Sequence, residues 1–250
     1  MRRIKIIVAY DGTNYCGWQI QKNGLAIEEV LKKALFSLTG ENITLIGASR
    51  TDSGVHALGN VAVFDTGSDI PPEKFLSGLN RFLPDDIVIK DSREVPLSWH
   101  PRYQNNIIKT YEYRIDNAKT PDPLKIRTYA HISFSLDLEQ MRKGASYLLG
   151  THDFICFCNT KNSSLTTVRT ITDIGVNRND DEIIIHVSGD GFLYNMVRLI
   201  AGTLIRIGRG FYEPEIIGDM LESKTRLPGR LTASAKGLVL VRIAYEKDEY

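Results

Sequence analysis

Hydrophobic residues alternate with polar or small ones over residues 3–10, RIKIIVAY, where Ile4, Ile6 and Val8 share one face, and this period of two predicts a first strand. From Leu25 the period lengthens. Leu25, Ile27, Val30, Leu31, Ala34, Leu35 and Leu38 recur at helical spacing until Gly40 stops the run, which predicts a core helix whose stripe is packing. Ile43, Leu45 and Gly47 return to alternation, and residues 60–66, NVAVFDT, give a third strand. Pro71 and Pro72 open a helix through Phe75, Leu76 and Leu79 that ends before Pro84, and Asp86 to Lys90 with Ser92 to Val95 give a fourth strand. The order is ferredoxin-like.

The second half repeats that order in outline. After the joining segment 98–103, SWHPRY, residues 109–116, KTYEYRID, alternate as a strand that puts Tyr111 and Tyr113 on one face, open either to the core or to stacking on a base. Ile126 to Phe134 reads as a strand, Leu138 to Leu149 as a helix closed by Gly150, and the polar run 159–167, NTKNSSLTT, as a loop. Val168 to Val176 and Glu182 to Val187 pair across residues 177–181. Residues 189–208 form a glycine-bounded turn and an apolar helix, 213–222 a short helix, and 237–245 a closing strand. The expected fold is α+β. It has two ferredoxin-like (RRM-like) halves, residues 1–104 and 105–250, sharing a continuous mixed, mainly antiparallel sheet with a catalytic cleft between them.

Composition narrows the function. With 250 residues, 42% hydrophobic and 24% charged, the chain can bury a sizeable core. No apolar run approaches the ~18 residues of a membrane helix, and Met1, Arg2 and Arg3 lead straight into the first strand, so the cytoplasm is the expected address, with no membrane partner. The three cysteines, Cys16, Cys156 and Cys158, have no His or Cys cluster beside them and are expected as free thiols, with no metal site. A net charge of +1 advertises no nucleic-acid binder, so such a role has to rest on local clustering. Two acid-free stretches supply it: residues 191–212 carry Arg198, Arg206 and Arg209, and residues 224–245 carry Lys224, Arg226, Arg230, Lys236 and Arg242.

The candidate chemistry centres on residues 47–57, GASRTDSGVHA, where Asp52 sits between Arg50 and Ser53 at the end of a short strand. An arginine two residues from a carboxylate favours its charged form, as a nucleophile or base needs. The plainer alternative is a loop aspartate bonding its own turn. RTDSGVHA resembles the active-site signature of the TruA family of transfer RNA pseudouridine synthases. Four further stretches are similar to that family's motifs and stand in its order: YDGTNYCGWQIQ at 10–21, KTYEY at 109–113, FLYNMVR at 192–198, and Gly237 with Leu238. The chain departs from the usual pattern at Ser49, Pro101, Cys156 and Val168, and in residues 233–236, ASAK.

The resemblance implies an isomerase that breaks the ribose C1′–N1 bond of uridine and remakes it to C5, with no cofactor. Asp52 would attack C1′ or the base, or assist glycal formation. Arg198 would partner Asp52, Arg50 would position or flip the nucleotide, Tyr111 would stack on the base, and Leu238 would touch it. The implied partner is tRNA, modified in the anticodon stem-loop at positions 38, 39 and 40, and bound by a homodimer; DNA is not expected. Rivals are few. DSG at 52–54 and DTG at 65–67 suggest an aspartic protease, but that class needs an all-β bilobal chain. A subtilisin-like reading of DSGVH lacks its partner motifs. A non-catalytic RNA-binding module or tRNA chaperone of the same fold is the alternative.

Overall fold

The computed structural model describes residues 1–159, 166–229 and 232–246. Most of the polar loop expected over residues 159–167, and Arg230 of the second basic stretch, lie outside them. The chain divides into two compact units, Met1–Ile107 with Leu240–Tyr250, and Ile108–Val239.

The first unit carries β1 (Arg2–Tyr10), α1 (Ile27–Thr39), β2 (Leu45–Gly47), β3 (His56–Thr66), α2 (Lys74–Asn80) and β4 (Ile87–Val95), the order that the periodicity predicts. β1 is antiparallel to both β3 and β4, and β2 is antiparallel to the far half of β3. Ile4, Ile6 and Val8 are fully buried, and Phe64 meets Phe75 of α2 edge-on with ring centroids 5.3 Å apart. Lys5 breaks the alternation. It is buried because its ammonium lies over the rings of Trp99 and Tyr245, 5.0 and 4.7 Å from their centroids, where the negative ring faces replace water. Tyr10, at the end of β1, stands opposite Ala57, so the loop leaving β1 and the loop entering β3 emerge side by side.

The second unit carries β5 (Ile108–Asp116), β6 (Ala130–His131), α3 (Leu138–Ser146), β7 (Gly150–Asp153), β8 (Val168–Asn179), β9 (Glu182–Gly189), α4 (Met196–Gly208) and α5 (Ile216–Ser223). β9 pairs antiparallel with β5 and β8, β8 with β7, and β6 adds a short parallel pair to β5. α3 begins at Asp137, whose carboxylate caps Glu139 and Gln140. It packs so closely on α4 that a β-carbon on Gly208 would stand 2.7 Å from Met141 Sδ. The last strand, β10 (Leu238–Ala244), starts in this unit and has Leu240–Ala244 in the first, beside β3. With ten strands and five α-helices among the described residues the chain is α+β, as expected. None of those helices is long and apolar enough to cross a membrane.

The structure corrects three local readings. The strand expected over Ile126 to Phe134 shrinks to Ala130–His131, because the amides of Thr128 and Tyr129 both turn back onto Lys125 O. Leu124 and Ile126 stay exposed there, so their apolar character marked no sheet face. Gly150 starts β7 instead of merely closing a helix, pairing with Ile171. The β8–β9 turn needs only Asp180 and Asp181, with Asp180 at φ 51°, a conformation aspartate tolerates through its short polar side chain. Cys156 and Cys158 are buried free thiols and Cys16 is partly exposed; burial pushes the Cys156 thiol up to about 11.

Asp65 of the DTG triplet is engaged on β3. Its two oxygens accept from Arg3 Nε and Nη2 at 2.6 and 2.8 Å, and Arg3 Nη1 reaches Trp99 O. The hydrogen bonds from Arg3 hold the carboxyl below its ordinary value. A group whose folded value is depressed stabilises the fold above its unfolded value, about 3.9, and loses that contribution as pH falls through the folded one. In urea unfolding, Asp65→Asn is therefore expected to be less stable than the native chain at pH 6, with the difference closing toward pH 3. A gap that persists at pH 3 would contradict this ion-pair account.

Candidate active site

The loop between β2 and β3 holds Arg50 and Asp52, and it is fixed from its alternate residues. Ser49 and Thr51 are buried, whereas Arg50 is exposed and Asp52 half-buried. Asn60 Nδ2 donates to Ser49 O at 3.0 Å, Ala48 N donates to Val61 O at 2.8 Å, and the hydroxyls of Thr51 and Tyr10 share a buried hydrogen bond of 2.8 Å. Ser49, where a glycine is usual in the resembled motif, is thus accommodated as an inward anchor. Arg50 and Asp52 alternate with these anchors and are the less buried residues, so the groups that hold the loop to its surroundings here are Ser49 and Thr51.

Beneath the loop lies the segment 11–26. Trp18 N donates to Thr51 O at 3.0 Å, and Tyr15 O accepts from Gly54 N at 3.3 Å and Ser53 Oγ at 3.2 Å. Gly12 N donates to His56 Nδ1 at 3.0 Å, and Asp11 Oδ1 lies 3.1 Å from the same nitrogen. Backbone meets backbone too closely here for a side chain. A β-carbon on Gly12 would stand 2.0 Å from Val55 O; one on Gly17, which sits at φ 93°, would stand 2.5 Å from Thr51 O. The aromatic rings of this segment pack into the core. Tyr15 and Trp18 are 5% and 3% exposed, and Tyr15 OH donates to Asp86 at 2.5 Å. Gln19 and Gln21 remain exposed.

In the second unit, Tyr111 on β5 is buried and packs edge-on against Phe192 at 5.2 Å. Tyr113, two residues on, is 1% exposed; desolvation raises its hydroxyl pKa, opposed by the charge of Arg198 and a hydrogen bond from the Ser234 backbone. Arg198 is half-buried near the start of α4 and doubly tethered to the 232–238 segment. Its Nε donates to Ala233 O at 2.8 Å, and its own carbonyl accepts from Ala233 N at 3.0 Å. Its Nη1 donates to Asn195 Oδ1 at 3.1 Å, from a residue held at φ 60°. Leu238 is buried at the start of β10, and Gly237 before it passes so close that a β-carbon would stand 2.8 Å from Tyr113 Cζ.

The five candidates therefore form two groups: Arg50 with Asp52 on one loop of the first unit, and Tyr111, Arg198 and Leu238 in the second. Sequence reading missed His56, Asn60, Tyr10 and Tyr113 as the groups that hold these residues in place. His56 and Tyr10 lie inside recognised motifs, but nothing in their spacing says which backbone they meet. Among the described residues no group of three His, Cys, Asp or Glu side chains is placed to hold a metal.

The close approach at Gly12 and Gly17 has a measurable cost. Gly17→Ala adds a clash to a left-handed backbone and is expected to destabilise by about 1–3 kcal/mol, with Gly12→Ala at least as severe. Thr13→Ala, on the exposed side of the same turn, serves as control. Chemical denaturation checks the ranking, and equal stabilities for Gly12→Ala and Thr13→Ala would show that the two loops are not packed in this way.

The whole chain has close counterparts. A family model described as tRNA pseudouridine synthase matches residues 6–104 and 145–246. tRNA pseudouridine synthase A of Acetivibrio thermocellus is 50% identical over 246 residues, covering 98% of this chain and 100% of its own length. The proteins of that name from Thermoanaerobacter sp. and Geotalea daltonii are 48% and 44% identical, each across 98% of this chain and their full lengths. The motif order, the two groups of site residues and full-length identity at this level converge: the chain belongs to the tRNA pseudouridine synthase family, a family of isomerases.

Proposed function

We propose that this chain isomerises uridine to pseudouridine in the anticodon stem-loop of tRNA, at positions 38, 39 and 40, with Asp52 as the catalytic carboxylate. The observation that carries the reading is the Asp52 loop itself, anchored through buried Ser49 and Thr51 while Asp52 is left half-buried on its open side. Isomerisation moves the glycosidic carbon from N1 to C5 of the same base, so nothing is gained or lost beyond proton transfers, and no oxidant, reductant or cofactor enters the balance. What the protein supplies is an extruded base, a placed carboxylate and a charge to hold it. Extrusion costs a few kcal/mol, least for a nucleotide at a loop or stem end, which suits the anticodon arm.

Each remaining residue has a role in this reading. Arg198 is the charge partner of Asp52, oriented by Ala233 and Asn195. Arg50, exposed beside Asp52, takes the backbone of the flipped nucleotide. Tyr111 stacks on the base and Leu238 closes the apolar side. The working assembly is a homodimer gripping one tRNA, and the compartment is the cytoplasm.

Pseudouridine mapping on unmodified tRNA, with no added cofactor, tests the core of this. The native chain is expected to give signal at positions 38 to 40. Asp52→Asn should lose on the order of 10²–10⁴ in rate or more while keeping its tRNA affinity, because only the charged nucleophile or base is removed. RNA binding by the native chain without any pseudouridine would instead identify a non-catalytic RNA-binding module. Tyr111→Phe separates stacking from proton transfer: retention of most activity assigns the ring, and a fall of on the order of 10²-fold or more assigns the hydroxyl.

A further inference from the structure

A second basic feature of the described residues lies at the other end of α4 from Arg198. A cavity of about 370 Å³ is bounded by Tyr113, the end of α4 at Arg206 and Arg209, Phe211, β6 with Ile132, and residues 232–234. None of Asp52, Arg50, Tyr111, Arg198 and Leu238 lines it, and neither does any carboxylate. Arg209 lies over two rings, its guanidinium carbon 4.1 Å from the centroid of Phe134 and 4.8 Å from that of Phe211. Both rings are more than half exposed, at 58% and 55%.

Basic residues at a helix C-terminus offset the helix dipole, and that would account for their charge. It does not account for the rings. Contact with two rings restrains a guanidinium while its N–H groups stay able to bond, which suits it to a phosphate better than a freely moving side chain. Arg206, one turn earlier on the same helix face and 5.8 Å from the Phe211 ring, adds a second charge at the rim. Thr232 and Ser234 also line the cavity.

We propose that this cavity holds a backbone phosphate of the tRNA substrate, away from the reacting nucleotide, with Arg209 and Arg206 as its ligands. The proposal rests on tRNA being the substrate. RNA is favoured over a second protein copy because two guanidiniums face a cavity with no lining acid, a match for phosphodiester charge. The wall at 232–234 also contains Ala233, the residue that tethers Arg198, so a phosphate seated here would brace the segment that positions that side chain.

The test is the salt dependence of tRNA binding, by fluorescence anisotropy, for the native chain, R206Q/R209Q and R206K/R209K, with circular dichroism to confirm that each is folded. Losing one or two phosphate contacts should lower the slope of log affinity against log salt by about 1–2. The double lysine variant, which keeps the charge but not the stacked fork, should retain the slope while binding more weakly. An unchanged slope in R206Q/R209Q overturns the proposal, as does a shift of that variant to a smaller species in sedimentation, which would make the face a contact between copies. Inorganic phosphate that protects the native chain against thermal unfolding while the RNA slope stays unaltered in R206Q/R209Q would assign the cavity to a free anion and equally overturn it. Failure of the native chain to bind tRNA at all would count against the proposed function, not against this site alone.

Discussion

The Asp52 loop depends on two stretches of bare backbone pressed together. The first loop after β1 slides under the loop before β3, and amides of one segment meet carbonyls of the other at Trp18 to Thr51 and at Gly54 to Tyr15. Such contact is possible only where side chains are absent, and Gly12 and Gly17 provide that absence. Hydrogen bonds between backbones do not rotate away as side chains do, so the loop that carries Asp52 is fixed by atoms that every residue has and that only glycine leaves accessible. The adjacent register of Tyr10 and Ala57 makes the meeting unavoidable once β1 and β3 pair.

The second group of residues is fixed in another way. Arg198 grips Ala233 twice, once through its guanidinium and once through its own carbonyl, so helix α4 and the 232–238 segment cannot shift independently. A cation near the start of an apolar helix is costly to bury without partners, and these tethers meet part of that cost while leaving the group only half-buried. The first unit thus places its candidate side chains by excluding side chains elsewhere, and the second by chaining one side chain to the backbone of the 232–238 segment.

How much of this the sequence disclosed depends on the physics of each part. Alternation over 3–10 and the helical stripe from Leu25 to Leu38 were legible because one buried face imposes one period, and β1 and α1 formed there, although α1 starts at Ile27 and leaves Leu25 exposed. Ile126 misled because short apolar runs are equally compatible with a turn exposed to solvent. Asp52 and Arg198 were legible as motif members. The roles of His56, Asn60 and Tyr113 were not legible, even where a motif contains the residue, since they come from contacts with residues distant in the chain, Gly12, Ser49 and Ser234 respectively, which no local pattern encodes. Lys5 shows the same limit: alternation sends it outward, and Trp99 together with the return of Tyr245 from the far end of the chain covers it.

The cysteines carry a practical corollary. Cys156 and Cys158 are enclosed by the second unit, and the thiol of Cys156 is held in its unreactive protonated form well above neutral pH. Cys16 alone is partly open, and it lies between Tyr15 and Gly17 in the segment that underlies the Asp52 loop. Thiol-directed reagents will therefore find a single address on this molecule. A fluorophore placed there reports from directly beneath the Asp52 loop, so the native chain already contains an optical window onto the candidate centre.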